Sequence, residues 1–120
     1  MKDRIEQGKA LRKAMFGQTP MPCSDFRQPF DDFVHAYCFG EIWQRSALPL
    51  KLRSMLTIAI LTGMSRPNQL QAHVKAAIAN GVTKEEIREV IMHASVYCGV
   101  AAGADSFHQA TIALKDIGLD

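Results

Sequence analysis

PNQLQAHVKAAIANGVTKEEIREVIMHASVY, residues 67–97, is the stretch from which the fold class follows. Leu70, His73, Val74, Ala77 and Ile78 recur at the three-and-four spacing of one helical face. Pro67 suits a first helical turn, where its missing N–H has no intrahelical partner to lose. Gly81 supplies a C-terminal stop, so the spacing predicts a helix over 67–80. Thr83 and Glu86 then form a T-x-x-E capping box, in which each side chain satisfies a backbone N–H of the other residue. A second helix opens there and carries Ile87, Val90, Ile91, Ala94 and Tyr97.

The same pattern extends in both directions. Upstream, Leu48-Pro49 leads into LKLRSMLTIAILTGM at 50–64, whose apolar residues face so many ways that a central helix is expected. Downstream, Gly99 and Gly103 interrupt the periodicity before a last helix from about Ala104 to Ile117. At the start of the chain, Ile5, Ala10, Leu11, Ala14 and Met15 predict a helix over 2–16, stopped by Gly17. GQTPMPC follows as an irregular connector, because Pro20 and Pro22 remove donors and restrict the residues before them. From Phe26 to Trp43 a single helix is expected, apolar on most faces through Phe30, Phe33, Tyr37, Phe39 and Ile42. No segment alternates at period two, so the fold class is all-α, with about six helices in a single domain over 1–120. These helices carry more apolar surface than one small bundle can cover, and association with further copies is the expected outlet.

Composition narrows the function. The 120 residues carry 14 Lys and Arg against 12 Asp and Glu, a balance of +2 that gives no electrostatic footprint for nucleic acid. Cys23, Cys38 and Cys98 form no C-x-x-C and no paired spacing, which argues against a disulfide framework or a thiolate zinc site and fits a reducing cytoplasm. The charged opening MKDRIEQGKALRK lacks the apolar core of a signal peptide, and no apolar run approaches the ~20 residues of a membrane span. A soluble cytoplasmic protein is expected.

Ionisable groups set among apolar neighbours are the first candidates for chemistry, since burying them is costly unless they are paired or used. His73 lies on the apolar face of its helix, where imidazole is suited to exchange a proton near neutral pH; a satisfied core histidine is the plainer alternative. Glu41, in FGEIW beside Trp43, is placed to orient a basic partner or to form a structural ion pair. Arg45 and Arg53 flank SALPLK and can hold a carboxylate through the planar guanidinium fork, or serve as helix-end charges. Cys98, in VYCGV, adjoins glycines that leave room for a ligand, although an inert buried thiol is the ordinary expectation. His35 and His93 have no ligand partner at metal-binding spacing, so no metal site is indicated, and His108 is expected at the surface.

FGEIWQR at 39–45, LRSMLTIAIL at 52–61, QAHVKAAIANGVTKEEIREVIMH at 71–93 and VYCGV at 96–100 together resemble the carboxymuconolactone decarboxylase family. The opening RIEQGKALRKAMFG is similar too, so the likeness covers nearly the whole chain. It implies the alkylhydroperoxidase-like helical fold, with a central antiparallel helix pair and protomers assembled into trimers or hexamers. The reaction it implies is cofactor-free loss of CO2 from 4-carboxymuconolactone, giving the β-ketoadipate enol-lactone of protocatechuate breakdown. On that chemistry His73 donates the proton, Glu41 orients it, Arg45 and Arg53 stabilise carboxylate or oxyanion, and Tyr97, Cys98 and Trp43 line the pocket. The peroxidases of the same superfamily use a C-x-x-C relay that this chain lacks, leaving a one-cysteine thiol activity of Cys98 or a non-catalytic ligand-binding oligomer as the alternatives. Two departures bear on substrate: YCGVAAGAD stands where the family tends to read YCGVPAAN, and Arg45-Ser46-Ala47-Leu48 where it reads RPGL. Both fall at expected pocket edges, which widens the substrate to a related lactone or another small carboxylic acid.

Overall fold

A computed structural model describes residues 2–17 and 24–120, in two compact units, Met1–Pro49 and Leu50–Asp120. Every regular element among the described residues is helical, six of them α-helices, and the fold class is all-α. None of these helices is long and apolar enough to cross a membrane. The connector expected at GQTPMPC lies, from residue 18 on, outside the described residues.

In the first unit, α1 spans Lys2–Phe16 and ends at Gly17, whose φ of 76° is the left-handed value of a helix stop. The aromatic segment departs from the single helix expected over 26–43. It forms α2, Gln28–Phe33, which continues without a break into a π-helical stretch, Val34–Phe39, and after Gly40 a 3-10 turn, Ile42–Gln44. Close packing on α1 accounts for the change. A Cβ built at Gly8 would sit 1.9 Å from the His35 carbonyl oxygen, and one at Gly40 would sit 2.2 Å from the Arg4 carbonyl oxygen. Backbone therefore meets backbone where helices ordinarily meet through side chains. Ala36, Phe39 and Trp43 are buried, whereas Phe26, Phe30, Phe33 and Tyr37 remain exposed.

The second unit is built from α3 (Leu50–Met64), α4 (Pro67–Ala79), α5 (Lys84–Cys98) and α6 (Val100–Asp116). Between α3 and α4 the chain reverses within two residues, giving an antiparallel pair. The reversal is a Schellman motif: Arg66 N–H donates to Leu61 O at 3.2 Å and Ser65 N–H to Thr62 O at 3.3 Å. Ser65 takes the left-handed place, φ 55°, where glycine is usual. The capping box forms as expected, with Thr83 N–H donating to Glu86 Oε1 at 2.9 Å and Glu86 N–H to Thr83 Oγ1 at 3.1 Å. The Thr83 N–H, followed by Lys51 with Nζ 3.0 Å from Glu86 Oε2, holds the Glu86 carboxyl below its usual pKa.

Helix α6 starts four residues before the expected Ala104. Gly99, at φ 104°, is the whole of the break. Gly103 lies inside the helix, at a place where a Cβ would fall 1.9 Å from Ser95 Oγ of α5. The two glycines thus serve different ends, one to turn the chain and one to admit a neighbour. Ile58, Leu70, Val74, Ile87, Ile91 and Ala113 form the centre of the core. On α3 the fully buried residues are Ser54, Ile58 and Thr62, and Met55 and Leu61 pack partly buried against the same core. Asn80 Nδ2 donates to Ser54 Oγ at 3.0 Å, tying the end of α4 to the start of α3.

Candidate active site

Six residues into α4 from Pro67 stands His73, half-buried beside the core residues Val74 and Ala77. Burial lowers its pKa to about 4, because a charged imidazolium loses its hydration there. At neutral pH the ring is uncharged, with one nitrogen able to donate and the other to accept. On α3, Arg53 is half-buried, and its carbonyl accepts from Thr57 Oγ1 at 2.8 Å. Because α3 and α4 pack against each other, this unit holds a permanent cation and a neutral imidazole on adjacent helices.

At the far end of α5, Cys98 is its last residue and is exposed, and a Cβ added at Gly63 of α3 would lie 3.0 Å from the Cys98 sulfur. Tyr97 is 79% exposed and its ring lies 5.2 Å from that of His93, one turn earlier. The pair stands at i and i+4, the spacing that brings two side chains together on one helix face.

Glu41, Trp43 and Arg45 belong to the first unit. Glu41 precedes the 3-10 turn, and its Oε2 accepts from Arg4 Nη1 at 3.0 Å in an ion pair across 37 positions. Trp43 is buried, its ring 5.8 Å from that of Phe39, and Arg45 is exposed where the chain leaves the turn. His35 is the buried titratable group that sequence reasoning passed over except as a metal ligand. Its Nε2 lies 3.2 Å from Arg12 Nη1, and its Nδ1 is buried without a hydrogen-bond partner among the described residues. Burial first, then the Arg12 and Lys9 charges, lowers its pKa. No local pattern ties positions 12 and 35, so only the fold reveals the pair. Burial also pushes the Cys38 thiol up, against a weaker lowering by its hydrogen bond with Trp43, which keeps it in the unreactive thiol form.

An all-α chain whose second unit carries a desolvated neutral imidazole, with a cation on the adjoining helix, has the parts of an acid–base scaffold for anionic substrates. Comparison with known proteins makes this class specific. The profile of the carboxymuconolactone decarboxylase family matches residues 28–111. The 4-carboxymuconolactone decarboxylase of Acinetobacter baylyi is 37% identical over 97% of this chain and 90% of its own length. The nitrosuccinic acid decarboxylase of Metarhizium robertsii is 35% identical over 79% of this chain and 70% of its own. The chain belongs to the carboxymuconolactone decarboxylase family, and by this likeness it is a carboxy-lyase.

Proposed function

We propose that the protein decarboxylates 4-carboxymuconolactone, or a closely related carboxylated lactone, without a cofactor, in the cytoplasm and within protocatechuate breakdown. The observation that carries this reading is the 37% identity, nearly end to end, with an enzyme named for that reaction. The substrate's own chemistry makes such economy reasonable. As the C–CO2 bond breaks, its electron pair passes through the ring C=C to the lactone carbonyl, forming a furanolate oxyanion. A proton then goes to the ring carbon, and the enol-lactone leaves.

Three tasks fall to the protein: holding carboxylates, stabilising the developing oxyanion and delivering the proton. In our reading Arg53 serves the first two and His73 the third, while Tyr97 and Cys98 border the pocket. A histidine with a pKa of about 4 is empty-handed as an acid at pH 7. A substrate with two carboxylates changes this, because a nearby negative charge favours imidazolium. His73 therefore takes up its proton as substrate binds and gives it to carbon after CO2 departs. A homo-oligomer, trimer or hexamer, completes the reading.

The test is loss of lactone absorbance with CO2 release by the full chain, alongside His73→Gln and binding calorimetry in two buffers of different ionisation enthalpy. We expect fast turnover, proton uptake on binding, and loss of both in the variant. A folded variant with normal kcat overturns the role of His73; no turnover by the parent overturns the substrate. The nitrosuccinic acid decarboxylase favours a second reading, a small nitro or other activated acid, which shares with the lactone an internal electron sink. The same assay with nitrosuccinate distinguishes the two. Rapid thiol titration of Cys98 at neutral pH with peroxide turnover would instead favour the single-cysteine activity.

A further inference from the structure

A cleft of about 260 Å³ opens in the second unit where α4 begins, and His73 does not line it. Pro67 and Leu70 line it with apolar surface, and Arg66, Ser106, Gln109 and Asp105 with polar groups. We propose that this cleft binds a small monocarboxylate, at a site separate from His73 and independent of the decarboxylase reading.

Two independent features point the same way. Arg66 is the N-cap of the 13-residue α4 and offers no side-chain cap, so the first N–H groups of the helix, at Asn68 and Gln69, lack a capping side chain. Uncapped N–H groups and the positive end of the helix dipole favour an anion. The second feature comes from α6. Ser106 is 4% exposed, lines the cleft, and its hydroxyl makes no hydrogen bond among the described residues. That hydroxyl lines the cleft with its donor unused, so a ligand oxygen there can take it up.

The remaining walls set the ligand's class. Arg66 makes no ion pair among the described residues, and its fork suits a carboxylate. Gln109 uses its carboxamide oxygen to accept from Gln71, which leaves its N–H2 group as a donor. Asp105, exposed at the rim, repels a second negative charge, so a monocarboxylate with a short apolar body is favoured over a dicarboxylate. The chain enters this corner through Ser65 at φ 55°, a strained conformation of the kind that gathers at ligand sites.

The experiment is an amide NMR titration of the full chain with butyrate, succinate and sodium chloride at matched ionic strength. Saturable shifts with butyrate are expected at Asn68, Gln69 and Ser106, with succinate binding more weakly and chloride producing none. Arg66→Gln should weaken butyrate about tenfold or more and Ser106→Ala about fivefold, in line with losing a charge-assisted and a neutral hydrogen bond. Asp105→Asn should bring succinate up to butyrate's affinity. Absence of saturable shifts there, or affinities indifferent to both Arg66→Gln and Ser106→Ala, overturns the site; equal binding of succinate and butyrate by the parent overturns its class.

Discussion

Burial sets the charge state of His73, and its protonation is tied to stability. Its folded pKa of about 4 lies below the ordinary histidine value of 6.5. Above pH 6.5 the ring is neutral whether the chain is folded or not, and it makes no pH-dependent difference. As pH falls below 6.5 the unfolded chain binds the proton first, so stability is lost progressively until about pH 4. A shift of this size corresponds to a loss on the order of 3 kcal/mol, less whatever residual hydration the half-buried ring keeps. Denaturant unfolding at pH 7 and pH 4.5 should therefore give a smaller difference for His73→Gln than for the parent; an identical difference would place the effect on other groups, His35 first. The placement of His73 on an apolar helix face was readable from Leu70, Val74 and Ala77. Glu41's partner was not, because an ion pair with Arg4 across 37 positions leaves no trace in local spacing.

At the scale of elements, legibility followed the range of the interaction. The Thr83–Glu86 box and the Gly81 stop are decided within a turn of chain, and both appear where the pattern put them. The start of α6 and the aromatic segment were misread because their deciding contacts come from other helices. Gly103 answers to Ser95, and the π-helical stretch Val34–Phe39 lies against α1 through Gly8. The last contact reverses an ordinary rule. Alanine in place of glycine inside a helix usually stabilises it by about 0.5–1 kcal/mol. In Gly8→Ala the new methyl would enter the His35 carbonyl, whose oxygen lies 1.9 Å from the built position, and backbone cannot rotate aside as a side chain does. We expect destabilisation of about 1–3 kcal/mol, the usual cost of overpacking, seen as faster hydrogen exchange in α1 and residues 34–39. Stabilisation by this substitution would mean that the two segments are less tightly apposed.

For the whole molecule, the surplus of apolar residues noticed in the sequence has a definite location on α3. Leu52, Leu56, Ile60 and Met64 recur every four residues and are all exposed, Ile60 by 58%, while the core-facing side of the same helix holds Ser54, Ile58 and Thr62. The core takes up one face of α3, Ile58 with the partly buried Met55 and Leu61, and a second apolar face is left exposed. Contiguous exposed apolar stripes on a soluble protein mark contact surfaces, and each Å² removed from water is worth roughly 25 cal/mol. A second copy is the occupant expected of a homo-oligomer, and the stripe is where charge should be most damaging. Leu56→Glu with Ile60→Glu leaves Ile58 and the buried core untouched, so the circular dichroism of the parent should persist. Light scattering after size-exclusion chromatography should show the parent as a trimer or hexamer and the double variant as smaller species, since an unpaired carboxylate buried in such an interface costs several kcal/mol per copy. An unchanged mass in the variant would move the interface to another surface, with the exposed Val96, Tyr97 and Val100 as the next to charge.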